Sequence, residues 1–120
     1  MNNQIHLVLP YPPSGNHLWK HTANGKHYIN QKAKDYYYDV AHLIRTQGKM
    51  IQIDQPMVVY CRLHAPDKRR RDLDNAWKVV SDALTKGNLW QDDNLIRKLT
   101  LEWCEPVKAG SVHVLISPLC

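Results

Sequence analysis

Acidic residues are scarce in this chain, 11 against 16 Lys plus Arg, and the formal charge is +5 before any of the 7 histidines is counted. Such a balance favours a polyanionic partner, although it fits ribosomal proteins, membrane-surface proteins and many other soluble proteins as well. Cysteine is rare too: Cys61, Cys104 and Cys120 are odd in number and lack C-x-x-C spacing, which argues against a disulfide framework and against a cysteine zinc site. A reducing, cytoplasmic setting is expected. No run of about eighteen apolar residues occurs, so no membrane span is expected. The N-terminus also lacks the cationic start and apolar stretch of a secretory signal. Glycine-rich phosphate loops, a G-x-S-x-G elbow and Cys-His signatures are missing, which removes P-loop and serine or cysteine hydrolase readings. His17, His21 and His27 straddle an expected hairpin without a cysteine partner, so a closed zinc site of about four ligands is not expected there.

At 120 residues the chain reads as a single domain, 1–120, too short for a catalytic domain plus a separate recognition domain. Binding and chemistry must share one surface. Residues 4–9 alternate as a half-buried strand until Pro10, Pro12 and Pro13 stop it. Asn24-Gly25 between two short runs predicts a hairpin over 17–29. Ala33, Tyr36, Tyr37, Val40, Ala41 and Ile44 recur at helical spacing, predicting a helix from Gln31 to about Gln47, with Asn30 as N-cap and Gly48 as terminator. Met57, Val59, Cys61 and Leu63 share one face of a central strand over 57–64. A second helix is expected from Asn75 to Lys86, capped by Asp74 and closed by Gly87. Ile96–Trp103 and Ser111–Ile116 flank a turn with Pro106 and Gly110 and predict an antiparallel hairpin. The order lacks regular βαβ alternation, so the class is α+β, with a mixed or antiparallel sheet and two main helices. Trp77, Trp90 and Trp103 read as core or interface.

Against this background one segment stands out. Lys68, Arg69, Arg70 and Arg71 run directly into Asp72-Leu73-Asp74-Asn75, with Lys78 downstream and Asp92-Asp93 further on. Two carboxylates about 4 Å apart repel by about 4 kcal/mol at the dielectric of a partly shielded surface, so a cluster of three needs compensation. A hard cation such as Mg²⁺ supplies it, taking about six oxygens and usually retaining waters. If the Asp72–Asp74 stretch is extended, both side chains share a face and reach one ion. Guanidinium forks match phosphate oxygens, and a cation-activated water can attack a phosphodiester. Whether one ion or two takes part stays open. Lys78 lies four residues after Asp74 and four before Asp82, where it either stabilises charge on the phosphate or forms an ordinary ion pair. Singly, Asp74 could cap a helix, Asp92-Asp93-Asn94 could form a turn, and Lys68 to Arg71 could be a solvated loop. Together they point to metal-dependent phosphodiester chemistry.

The same stretches resemble the RusA-type Holliday-junction resolvases. The likeness is carried by Pro12-Pro13-Ser14-Gly15-Asn16, by Pro66-Asp67-Lys68-Arg69-Arg70-Arg71-Asp72-Leu73-Asp74-Asn75, by Lys78, by Asp82-Ala83-Leu84 and by Asp92-Asp93, in the family's order. It implies a homodimeric α+β endonuclease that cuts four-way DNA junctions in recombination and repair with Mg²⁺ or Mn²⁺. The resemblance also implies that Asp72, Asp74 and Asp93 are the metal-site acids and Lys78 an essential cation; Lys68, Arg69, Arg70 and Arg71 are read from their charge as the residues that hold the DNA backbone. A catalytically silent DNA-binding protein, or a metal-dependent nuclease acting on RNA or flaps, would use the same residues.

Overall fold

The computed structural model describes residues 4–13, 19–21, 27–29 and 31–119, the two short segments by their backbone alone. Its elements run β1 (Ile5–Leu9), β2 (Trp19–His21), β3 (His27–Ile29), α1 (Gln31–Thr46), β4 (Met57–His64), α2 (Leu73–Lys86), a single 3₁₀ turn (Asp93–Leu95), β5 (Ile96–Cys104) and β6 (Ser111–Pro118). The alternating residues do what their period requires. Leu7 and Leu9 of β1, Met57, Val59, Cys61 and Leu63 of β4, and Val112, Val114 and Ile116 of β6 are all buried on one face.

Both helices close that face. Ala33, Tyr36, Tyr37, Val40 and Ile44 of α1 and Ala76, Val79, Val80, Ala83 and Leu84 of α2 join the inward strand residues in one core. Trp90 is completely buried beneath them, and its indole N–H donates to Thr85 Oγ1 at 2.6 Å, so the one polar atom of the ring is satisfied. Gly48 ends α1 as expected, with a φ of +69° that suits glycine. Gly87 ends α2 for a different reason. Its φ is −80°, but a Cβ there would stand 2.5 Å from Ile44 Cδ1, so any larger residue has to displace Ile44 where the two helices approach closely. Asn30 and the tip Asn24-Gly25 lie outside the described residues. The flanking backbone of β2 and β3 pairs antiparallel as the hairpin reading expects.

The sheet order is β1-β6-β4-β5, which confirms β4 as central and the class as α+β. The order also corrects one expectation: β5 and β6 are not a hairpin. β5 lies parallel to β4, reached through α2 as a crossover, while β6 pairs antiparallel with the other side of β4. The loop between β5 and β6 therefore steps over one strand, a span of about 10 Å at ordinary strand spacing. Val107 N–H donates to the Ala65 carbonyl at 3.0 Å, and the His64 ring lies 2.8 Å from the Glu105 carbonyl, tying the loop across the end of β4. Gly110 completes it at φ +75°, where a side chain would also collide with Tyr11.

The β4-α2-β5 unit sets the location of the acids. A parallel pair needs a crossover connection, and α2 supplies it. The basic loop enters at one end, and the Asp92-Asp93 turn leaves towards β5 at the other.

Candidate functional site

Leu73 is partly buried against the core, and this draws the start of α2 back by two residues from the expected Asn75. The N-cap is consequently Asp72, not Asp74. Its backbone is extended, φ −94° and ψ 127°, and its carbonyl accepts the Ala76 N–H at 3.3 Å. The idea that Asp72 to Asp74 is one extended stretch with both carboxylates on a face does not hold: Asp72 ends the extended segment and Asp74 sits in the first helical turn. Both still project at the helix N-terminus, where the partial positive charge of the helix favours anions. The Asp72 side chain makes no capping bond to the backbone; its Oδ2 accepts from Asn75 Nδ2 at 3.2 Å. Asp74 Oδ1 accepts the Asn75 N–H at 3.0 Å. Both residues are exposed.

Asp92 and Asp93 separate into two roles. Asp92 caps the 3₁₀ turn, its Oδ1 accepting the Asn94 N–H at 3.0 Å, and that bond leads in holding its carboxyl below the usual carboxylate range. Asp93 turns instead to α2, where its Oδ2 accepts from Ser81 Oγ at 3.2 Å. Ser81 is only 3% exposed although polar, and sequence reasoning missed it. The available signal was its place seven residues after Asp74, two turns along one helix face. Nearby, burial and then the charge of Asp93 push the Asp82 carboxyl above its ordinary value, with Lys78 and Lys86 pulling the other way.

The acids are thus arrayed along α2. Asp72 and Asp74 stand at its first turn, and Asp93 against its third, a rise of about 10 Å along the axis between Asp74 and Ser81. Among the described residues, no three His, Cys, Asp or Glu side chains gather closely enough to form a ready metal cage. The donor chemistry nevertheless suits a hard divalent ion: carboxylate oxygens at the end of a basic loop, none of Asp72, Asp74 or Asp93 having an ion-pair partner among the described residues. Lys78, exposed on the same helix, has no ion-pair partner among the described residues either.

The basic loop is built around an acid that sequence reasoning assigned no role. Asp67 Oδ2 receives Arg69 Nη2 at 2.9 Å and its Oδ1 receives Arg71 Nη1 at 2.8 Å. Arg71 also donates to the carbonyls of Asp67 and Arg69 and lies 5.7 Å from the Tyr11 ring centroid, leaving its side chain 22% exposed against 83% for Arg69. Arg71 is therefore a strut of the loop, while Lys68 and Arg70 project without an ion-pair partner among the described residues. Arg69, Arg70 and Arg71 line a groove of about 250 Å³ with Trp103, which is 38% exposed and so belongs to the surface and not the core.

Hydrogen bonds from Arg71 and then from Arg69 hold the Asp67 carboxyl well below its ordinary value. A depressed carboxylate adds stability above its unfolded pKa and loses it as the pH falls through the folded one. Asp67→Asn should therefore lower the melting temperature at pH 7, and the gap to wild type should narrow steadily as the pH is taken below about 4. Thermal melts across that range check it.

The family model described as endodeoxyribonuclease RusA matches residues 10–117. A crossover junction endodeoxyribonuclease rusA of Enterobacteria phage 82 is 36% identical over 119 residues, covering 98% of this chain and 97% of the relative. Crossover junction endodeoxyribonucleases RusA of Escherichia coli O139:H28 and of strain K12 are each 32% identical over 117 residues, with the same coverage.

Proposed function

This chain belongs to the RusA family of endodeoxyribonucleases, and from that membership we propose that it cuts four-way DNA junctions by paired, symmetric phosphodiester hydrolysis. The observation that carries the reading is the placement of exposed carboxylates without ion-pair partners along α2, directly after a loop of cations. A polyanion is attracted to the loop while the acids stay available for a cation that the phosphate shares.

Asp72, Asp74 and Asp93 would hold a divalent ion, Mg²⁺ or alternatively Mn²⁺, once their carboxylates draw together, since no three of the described acids form a ready cage in this structure. When bound, such an ion shields the charge on the transferring phosphoryl group. The chain's own residues supply the rest. Lys68 and Arg70 hold backbone phosphates, with Arg69 and Arg71 fixed by Asp67 to shape the loop. Ser81 orients the Asp93 carboxylate through its hydrogen bond, and Asp92 holds the turn from which Asp93 projects. Lys78 places an ammonium where negative charge develops on the leaving oxygen. Action as a homodimer follows from the substrate, since an isologous pair presents two copies of one site to a twofold junction. A role in recombination and repair follows from such a substrate. Among the described residues no helix is long and apolar enough to cross a membrane.

The test is cleavage mapping on a synthetic four-way junction with Mg²⁺, with and without chelator. Paired nicks at symmetric positions, lost on chelation, are expected. Tight binding without nicks would identify a silent DNA-binding protein, and faster cutting of RNA or flaps would move the substrate class.

A further inference from the structure

The pairing of β4 with β5 is irregular at one point. Met57 lies opposite Ile96, but Val58 lies opposite Lys98, so Arg97 is an extra residue in β5. Neighbouring residues of a regular strand point to opposite faces. The extra residue breaks that alternation at Arg97, and residues 96–99 line one groove of about 290 Å³ together with Trp77, Ser81 and Asp93. Bulges of this kind are often found beside active sites. The Arg97 guanidinium donates to the Asn94 carbonyl, which fixes it beside the very turn that carries Asp93. Both cations are exposed, and among the described residues neither has an ion-pair partner. Asp93 therefore shares their groove without neutralising them by direct contact.

We propose that Arg97 and Lys98 bind the DNA backbone at the Asp93 end of the site, as a second phosphate-holding patch distinct from the Lys68–Arg71 loop. The proposal rests on the nuclease reading above and adds to it. The loop precedes Asp72 at the first turn of α2, whereas Arg97 and Lys98 flank Asp93 at the third, so the two patches bracket the line of acids. A strand lying along α2 would meet cations on both sides of the bond that is cut. A guanidinium fork and a flexible ammonium side by side suit adjoining phosphate oxygens.

The experiment measures junction affinity under chelation between 50 and 200 mM salt for wild type, Lys98→Gln and the Arg97→Gln/Lys98→Gln double variant. The plot of log affinity against log salt should become shallower by about 0.9 for the single variant and about 1.8 for the double, with the double binding at least roughly tenfold more weakly at the lowest salt. For Lys98→Gln the loss should be larger in affinity than in the single-turnover rate at saturating enzyme, because this residue holds the strand and does not react. The Lys98 side chain makes no hydrogen bond among the described residues, so the single variant reads the proposal even if loss of the Arg97 bond to Asn94 loosens the turn. Unchanged salt slopes in both variants, beside normal wild-type cutting, overturn this proposal alone, as does a loss confined to the cutting rate. A wild type that binds no junction at any salt overturns the nuclease reading and this proposal with it.

Discussion

Asp72→Asn should cut a four-way junction roughly a thousandfold more slowly than wild type, about 4 kcal/mol of lost transition-state stabilisation, while binding it as tightly or more tightly. The two halves of this result come from one atom exchange. An amide in place of the carboxylate is a poor ligand for a hard cation, so shielding of the phosphoryl charge is lost. It also removes a negative charge at the end of the basic loop, which lessens repulsion of the incoming backbone. Asp72 is exposed and makes no capping bond from its side chain to the helix backbone, so the fold should tolerate the change. The partner bond from Asn75 Nδ2 can be accepted by the amide oxygen. Gel-shift titration under chelation and single-turnover cleavage with Mg²⁺ check both halves. Cutting at the normal rate would remove Asp72 from the site, and equal loss of binding and cutting would make it a structural residue.

The second large effect is expected at Lys78. Lys78→Gln should lower the single-turnover rate by about 10² to 10³, the range found when one donor to a developing oxyanion is removed, with affinity changed much less. An ordinary exposed pair on a helix is worth about 0.3–0.5 kcal/mol and would alter neither rate nor affinity by more than about threefold. The structure bears on this choice. Asp82 is close enough for Lys78 to draw its carboxyl downwards, yet no ion pair joins the two among the described residues, which leaves the ammonium available. Lys78→Arg should recover part of the rate, since charge is kept while the point-like ammonium becomes a broader fork. Rates for the three proteins at saturating junction distinguish the readings.

Much of the architecture was legible from periodicity alone. Residues spaced for a strand or a helix must bury their apolar side, so Met57, Val59, Cys61 and Leu63, or Val79, Val80, Ala83 and Leu84, could be assigned to the core before any neighbour was known. Alternation over Ile96–Trp103 and Ser111–Ile116 likewise identified two strands, but a period states only which face is buried, never which strand lies alongside. A turn with Pro106 and Gly110 serves a hairpin and a step across β4 equally well, and only the pairing of hydrogen bonds across the sheet separated them.

The chemistry of the site divides the same way. Residue type and order determined that this chain carries a basic loop running into carboxylates, with a lysine one helical turn on and a second acidic pair beyond, because charge and hydrogen-bonding capacity belong to the residues themselves. Tertiary structure decided which of those groups are spent on the fold. Asp67 and Arg71 brace the loop, Asp92 caps a turn, and Asp93 is turned to the buried Ser81. It also set Arg97 and Lys98 beside Asp93 in one groove at the irregular start of β5, a juxtaposition invisible to spacing because it depends on how distant segments pack. A side chain's chemistry is local, whereas its partners are set by packing between segments distant in the chain.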